Sequence, residues 1–212
     1  MSPEIAAVLA LSLYLVGLVA AFGLRSWVHR KRTGSSGFRG LTGVPGSAQW
    51  WGGTLFISAL VLGAAAPALA LVGIIAPPAV APVLRWAGLV IAVAGFAGVL
   101  TAQAGMGASW RVGVDDAERT ELVTTGVFAL VRNPVFTAML TALLGLVLLV
   151  PTVVSGAALV CLLLAVQIQV RRIEEPYLLA THGQTYATYA TTVGRFLPGI
   201  GRMSTRERES LQ

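Results

Sequence analysis

The chain has 212 residues, of which 56% are hydrophobic and 11% are charged, and its mean hydropathy is +0.78. Because a water-soluble domain carries about 25% charged residues, this composition excludes a soluble globule and predicts an integral membrane protein. The formal net charge of +6 does not indicate nucleic-acid binding, because the basic residues lie at the ends of apolar runs, where such residues set topology and contact lipid headgroups.

Five apolar runs are long enough to cross a bilayer, which takes about 20 residues in a helix. The first three lie in residues 1–104, and the last two are joined by almost no loop, which predicts a tight antiparallel hairpin. We therefore predict an all-α membrane protein with five transmembrane helices. The predicted spans are about 5–24, 50–75, 83–104, 134–150 and 153–170.

The basic residues predict the orientation of these spans. With five spans, loop 25–49, segment 105–133 and the region after residue 170 share one side, and they contain every Lys and Arg except Arg85. Lys and Arg favour the cytoplasmic side. We therefore expect an external N-terminus and a cytoplasmic C-terminus, in the plasma membrane if the protein is prokaryotic.

Two polar segments, 109–136 and 171–198, flank the predicted hairpin. Because the hairpin returns the chain to the same membrane face, both segments should meet at one polar mouth. Asn133-Pro134 predicts a helix start, with Asn as the N-cap and Pro at the first helical position. The free N–H groups there, beside Arg132, would suit a carboxylate or phosphate. An equal alternative is a capped helix with Arg132 reaching to the membrane interface.

A pair of carboxylates follows the fifth predicted span. Glu174 and Glu175 come one turn after Arg171 and Arg172, so Arg171 could pair with either carboxylate at i, i+3 or i, i+4 on a helix. Alternatively, a carboxylate here receives an ammonium group or a cationic cofactor, because ionisable residues at membrane depth are candidates for function.

Three further polar residues recur at helical spacing in the last segment. His182, Tyr186 and Tyr189 could form one polar helix face, although interface tyrosines are more often membrane anchors. The sequence contains no Cys/His cluster and no phosphate-binding loop. His29 and His182 are too few and too far apart for a metal site, so we expect no metal.

Taken in order, these motifs resemble the isoprenylcysteine carboxyl methyltransferase family, to which the phospholipid N-methyltransferases are related. The resemblance covers about residues 105–200, around the hairpin 134–170. It implies that 105–200 binds S-adenosylmethionine at the cytoplasmic mouth. Independently of the resemblance, the charged residues within 201–212 predict a polar, solvated tail that contacts anionic headgroups. The residues that match are Leu122-Val123, Gly126, Phe128, Arg132-Asn133-Pro134, Phe136, Arg172, Glu174-Glu175, Gly183, Tyr186, Tyr189, Arg195 and Pro198.

The resemblance also implies roles for individual residues. Asn133 stands where the family often has His, and Phe136 where it has Tyr. The arginine that the family links to a prenylcysteine carboxylate has no clear match, with Val170 at one candidate position and Arg171 and Arg172 close by. The catalytic candidates are Arg172, Glu175, His182 and Tyr186. The cofactor-binding candidates are Glu121, Leu122, Val123, Phe128, Arg132, Asn133, Pro134, Phe136 and Glu174.

The implied reaction is methyl transfer to a lipophilic, membrane-embedded acceptor, and the resemblance favours carboxylate O-methylation. A carboxylate acceptor needs no base. One alternative is a phospholipid amine or a phenol, whose proton Glu175, His182 or Tyr186 could help remove. Another is a non-catalytic transport or assembly protein, although a transporter should show inverted repeats and the sequence shows none. We expect a lipophilic small molecule or lipid as substrate and membrane lipids as partners.

Overall fold

The computed structural model describes residues 1–34, 43–107 and 122–204. In these ranges the regular structure is helical, apart from two isolated β-bridges, which confirms the predicted all-α membrane fold. The helices are α1 (Pro3–Leu18), α2 (Arg25–Thr33), α3 (Ala48–Leu71), α4 (Pro82–Met106), α5 (Pro134–Leu149), α6 (Val153–Ile168) and α7 (Glu175–Thr192).

Local sequence signals explain where these helices begin. The side chains of Ser2, Ser47 and Thr152 accept hydrogen bonds from the first turns of α1, α3 and α6, as N-cap residues do. Pro82 and Pro134 occupy the first positions of α4 and α5, where the missing N–H costs nothing.

The number of long apolar helices differs from the five predicted spans. Four stretches are long and apolar enough to cross a membrane, whereas α5 is apolar but has only 16 residues. At 1.5 Å per residue, α5 is about 24 Å long, somewhat less than a hydrocarbon core of about 30 Å. The four long stretches are Pro3–Lys31, Ala48–Leu71, Pro82–Met106 and Val153–Thr192.

The first and last long helices continue past their predicted ends. A π-helical turn, Val19–Leu24, joins α1 to α2, so residues 25–33 of the predicted loop are helical. A second π-helical turn, Gln169–Glu174, joins α6 to α7. A π-helical turn inserts an extra residue and is frequent at functional sites. The polar residues on these extensions are consequently held by helices and not by loops.

Small residues allow α4 and α5 to pack closely. A Cβ atom added at Gly95 would lie 2.3 Å from the backbone nitrogen of Ala142, and one added at Gly145 would lie 2.3 Å from that of Ala92. Neither position has room for a side chain. Close approach through small residues is a common mode of helix association in membranes, and here it fixes the short helix α5 against the long helix α4.

The helices surround an internal space. α1 packs on α3 and less extensively on α4, while α3 packs along α6 and α4 along α5. Residues 150–152 connect α5 to α6, which confirms the predicted tight hairpin. These two helices contact each other less than they contact α4 and α3, and a cavity lies between them.

Candidate functional site

Residues 122–136 of the first polar segment meet the second segment at one end of the helix bundle, as their position around the hairpin predicts, and residues 109–121 lie outside the described ranges. The backbone N–H of Arg132 bonds the carbonyl of Gly194 at 2.8 Å, and the N–H of Asn133 bonds the carbonyl of Arg195 at 3.1 Å. The chain that follows α7 therefore crosses the start of α5 and closes the mouth on that side.

The start of α5 follows the sequence prediction except at one side chain. Asn133 occupies the N-cap position, but its Nδ2 donates to the carbonyl of Arg195 at 3.0 Å and the side chain does not cap the helix. The predicted capping role is wrong because the segment after α7 brings a carbonyl to this amide. Pro134, Val135 and Phe136 line the cavity, and the first N–H groups of a helix favour an anion.

Glu175 is the centre of a charge network shielded from water. Its carboxylate contacts Arg132 at 3.0 Å and accepts two hydrogen bonds from Arg195, at 2.7 and 2.9 Å. Arg132 also donates to the Tyr186 hydroxyl at 3.1 Å and to the Gly201 carbonyl at 2.8 Å. The side chains of Arg132 and Glu175 are 2% and 11% exposed. One largely buried carboxylate thus compensates two guanidinium groups.

The neighbouring carboxylate has different surroundings. Glu174 is half-buried, lines the cavity and accepts a hydrogen bond from Gln169 Nε2 at 3.1 Å. Arg171 donates to Gln167 at 2.7 Å. The predicted pairing of Arg171 with Glu175 is therefore wrong, because the π-helical turn changes the spacing that a regular α-helix would give.

The aromatic residues of α7 lie on the inner side of the mouth. Tyr186 is buried, its ring centroid lies 6.2 Å from that of Tyr189, and the Tyr189 hydroxyl donates to the Phe128 carbonyl at 2.5 Å. Gly183 has φ +51 and interrupts the helix. His182 and Tyr186 therefore do not share the uninterrupted helix face that their spacing predicts.

The continuous helical stretch from α6 to α7 is too long to lie within the hydrocarbon region, and we place α7 outside it. Val153–Thr192 spans 40 residues, whereas about 20 residues cross a bilayer. In α7, burial raises the pKa of Tyr186 to about 12. At neutral pH the Tyr186 side chain is consequently a protonated phenol that accepts the hydrogen bond from Arg132.

A cavity of about 850 Å³ connects the polar mouth with the apolar interior. Small-molecule sites typically occupy about 300–1,000 Å³, so the space suits a ligand. Charged groups stand at one end, where Arg132 and Glu174 line the wall. The inner wall is apolar, comes from five helices and includes Leu18, Phe56, Phe96, Leu143 and Leu162.

Every predicted site residue within the described ranges lines this cavity. Glu121 lies outside those ranges, as do residues 35–42 of the predicted loop and 205–212 of the predicted tail. Among the described residues, no group of His, Cys, Asp or Glu could hold a metal ion. The residues brought together are Leu122, Val123, Phe128, Arg132, Asn133, Pro134, Phe136, Arg172, Glu174, Glu175, His182 and Tyr186.

Sequence reasoning missed contacts between distant segments. It noted Arg195 only as a motif element, whereas the structure makes it a partner of Glu175. Arg25 donates to the carbonyls of Gln103 and Gly107, at 2.9 and 2.8 Å, and joins the start of α2 to the end of α4. Gln103, whose backbone carbonyl accepts one of these hydrogen bonds, carried one signal in the sequence. Its side chain is a polar amide within a predicted membrane span, where polar residues are candidates for function.

The fold and the site together define an all-α membrane protein with a charged mouth above an apolar chamber. The family model described as phospholipid methyltransferase matches residues 83–185, from α4 into α7. This part of the chain is therefore similar to that family, and the match supports a membrane methyltransferase. The narrower resemblance to isoprenylcysteine carboxyl methyltransferases stays a prediction. No curated protein and no solved structure matches the chain.

Proposed function

We propose that this protein transfers a methyl group from S-adenosylmethionine to a lipophilic acceptor held among its membrane helices. The observation that carries the proposal is the cavity that joins a charged mouth to an apolar chamber. A polar methyl donor and a lipid acceptor require these two environments side by side. The family match over residues 83–185 supports the same class of reaction.

The chemistry of the mouth fits S-adenosylmethionine, which carries a carboxylate, an ammonium and a sulfonium. The N–H groups at the start of α5 suit the carboxylate, and Glu174 suits the ammonium through a charge-assisted hydrogen bond. When bound, the cofactor supplies a methyl group that its sulfonium already activates. We expect further contacts from Leu122, Val123, Phe128, Asn133, Pro134 and Phe136, which line the cavity.

We assign Arg132 and Glu175 a positioning role. Glu175 compensates the charge of Arg132, which in turn holds the Tyr186 hydroxyl and the Gly201 carbonyl. These contacts fix the start of α5 relative to α7. A fixed, water-shielded mouth accelerates a displacement by aligning the acceptor with the methyl group.

A proton acceptor is needed only for some substrates. An ionised carboxylate attacks without losing a proton, whereas an amine or phenol requires a base. Glu175 is engaged with two guanidinium groups, and Tyr186 is a protonated phenol. His182, which is half-buried and lines the cavity, is therefore the base that we propose for such acceptors.

Two acceptor classes each have support. The sequence motifs favour a lipophilic carboxylate, as in the isoprenylcysteine carboxyl methyltransferases, whereas the description of the matching family favours a phospholipid amine. Arg172 is exposed and lines the cavity. We propose that it pairs with the anionic group of the acceptor, which is the carboxylate in the first case and the phosphate in the second.

The test uses purified protein in lipid nanodiscs, native lipid extract and cofactor with a labelled methyl group. We expect label in the organic-solvent fraction. Alkaline treatment should release it as labelled methanol if the product is a carboxyl ester, whereas an N-methyl product should keep it. If the protein binds the cofactor but labels no lipid, the proposed reaction is wrong and a non-catalytic role gains support.

We further propose that the mouth faces the cytoplasm, because the Lys and Arg residues concentrate at this end of the helices. Reporter fusions after residue 40 and after the C-terminus should report a cytoplasmic location, and a fusion after residue 79 should report an external one. A cytoplasmic signal from residue 79 would reverse the proposed orientation.

A further inference from the structure

Gln103 is a buried polar residue in the wall of the cavity. It lies in the last turn of α4, is 4% exposed and lines the cavity. On the same helix, the cavity residues Phe96 and Val99 are apolar. Phe96 lies about 10 Å further along the helix axis. Gln103 therefore stands where the polar mouth gives way to the apolar chamber.

The Gln103 amide has a defined orientation. Its Nε2 donates to the carbonyl of Ala21 at 3.1 Å. In the π-helical turn that contains Ala21, the backbone N–H of Arg25 bonds the carbonyls of Ala20 and Phe22, and the Ala21 carbonyl accepts from Gln103. Flipping the amide would oppose two oxygens and lose this hydrogen bond. The amide oxygen is thus the atom that remains for another contact.

That oxygen lacks a donor. Gln103 Oε1 is buried and has no hydrogen-bond partner within the part of the chain that the structure describes. Buried polar atoms in native proteins are nearly always paired, and an unpaired one is unfavourable. Because Gln103 is one of the residues that line a ligand-sized cavity, a molecule bound in that cavity is the nearest external source of a hydrogen-bond donor for this oxygen.

We propose that Gln103 selects methyl acceptors that carry an O–H or N–H group, by accepting a hydrogen bond through Oε1. This inference rests on the proposed function, which places the acceptor in the cavity. An ionised carboxylate has no hydrogen to donate and would bring a negative oxygen towards Oε1. Gln103 therefore disfavours a carboxylate relative to an amine, a phenol or an alcohol, and a specificity residue acts through such differences.

The cofactor is the other possible source of a donor, because S-adenosylmethionine has an ammonium and ribose hydroxyls. The position of Gln103 favours the acceptor. Phe96 and Val99, which precede it on α4, offer an apolar surface for the chain of a lipid. The two sources predict different effects of a substitution, on acceptor binding in one case and on cofactor binding in the other.

The test measures the binding of single-chain probes to the full-length protein in nanodiscs without cofactor. Dodecylamine and dodecyltrimethylammonium share a chain and a positive charge, but only the first has N–H groups. 1-Dodecanol and its methyl ether form a neutral pair that differs in one O–H group. We expect the wild type to prefer the donor-bearing member of at least one pair roughly tenfold, and Gln103→Met to abolish that preference.

Matched variants separate recognition from structure. Thr101→Val removes an exposed hydroxyl, bonded to the carbonyl of Ala97, and should behave as the wild type. If Gln103→Met does not fold, Gln103→Lys replaces it, because lysine can still donate to the Ala21 carbonyl but cannot accept, and the same loss of preference is expected.

Two results would overturn the proposal: the wild type shows no preference in either pair, or the preference survives Gln103→Met. If the preference survives and Gln103→Met also weakens the binding of S-adenosylmethionine in calorimetry, the oxygen is assigned to the cofactor. Because probe binding requires no methyl transfer, these outcomes are independent of whether the labelled-methyl experiment succeeds.

Discussion

Replacing Glu175 by glutamine removes the carboxylate charge that contacts both Arg132 and Arg195. The Arg132 side chain is 2% exposed, so water cannot replace the lost interaction. Removing one partner of a buried ion pair costs about 3–5 kcal/mol. The Arg195 side chain is 20% exposed, so water partly replaces the carboxylate that Arg195 loses. We therefore expect Glu175→Gln to lower the free energy of unfolding by about 3 kcal/mol or more.

The measurement is reversible unfolding in mixed micelles, followed by circular dichroism. Glu174→Gln is the matched control: the chemical change is the same, but Glu174 is half-buried, so solvent offsets part of the lost charge and the expected loss of stability is smaller than for Glu175→Gln. The double variant Arg132→Gln/Glu175→Gln should regain part of the loss, because the most deeply buried guanidinium, that of Arg132, is then absent. Equal stability of the two single variants would refute the reasoning.

Three further outcomes are expected. Glu174→Gln should weaken S-adenosylmethionine binding roughly 10- to 150-fold in calorimetry, and unchanged affinity in a folded variant would contradict its role. Gly95→Leu should lower the unfolding temperature because its Cβ would lie 2.3 Å from Ala142 nitrogen, whereas Gly156→Ala, with nothing within 4 Å, should not. Deleting 205–212 should leave cofactor affinity within about twofold, but deleting 194–212 should abolish binding, because it removes the carbonyls that hold Arg132.

Local patterns were sufficient to predict much of the site. Asn133-Pro134 predicts the start of α5. The short connection between the fourth and fifth predicted spans predicts that the chain returns to the same membrane face. These two signals bring Arg132 and Glu174 to one mouth before any packing is known. The length of the apolar runs likewise predicts the membrane helices, although the stretch that forms α5 has only 16 residues and is shorter than the four long stretches.

The rest depends on contacts between residues that are distant in sequence. Gln103 and Ala21 are 82 positions apart, and no local pattern relates them. Arg195 reaches Glu175 only because the chain after α7 folds back over the start of α5. The π-helical turns have no hydropathy signature, since an extra residue leaves the composition of an apolar helix unchanged.

The two π-helical turns, Val19–Leu24 and Gln169–Glu174, make the site sensitive to chain length in single-residue steps. Deleting one residue from the second turn would restore a regular helix of nearly the same hydropathy. Everything beyond it would then rotate by about 100° around the helix axis, carrying Glu175 away from Arg132. The altered chain should still insert into the membrane, because insertion responds to hydropathy. A one-residue deletion would thus separate membrane insertion from assembly of the site.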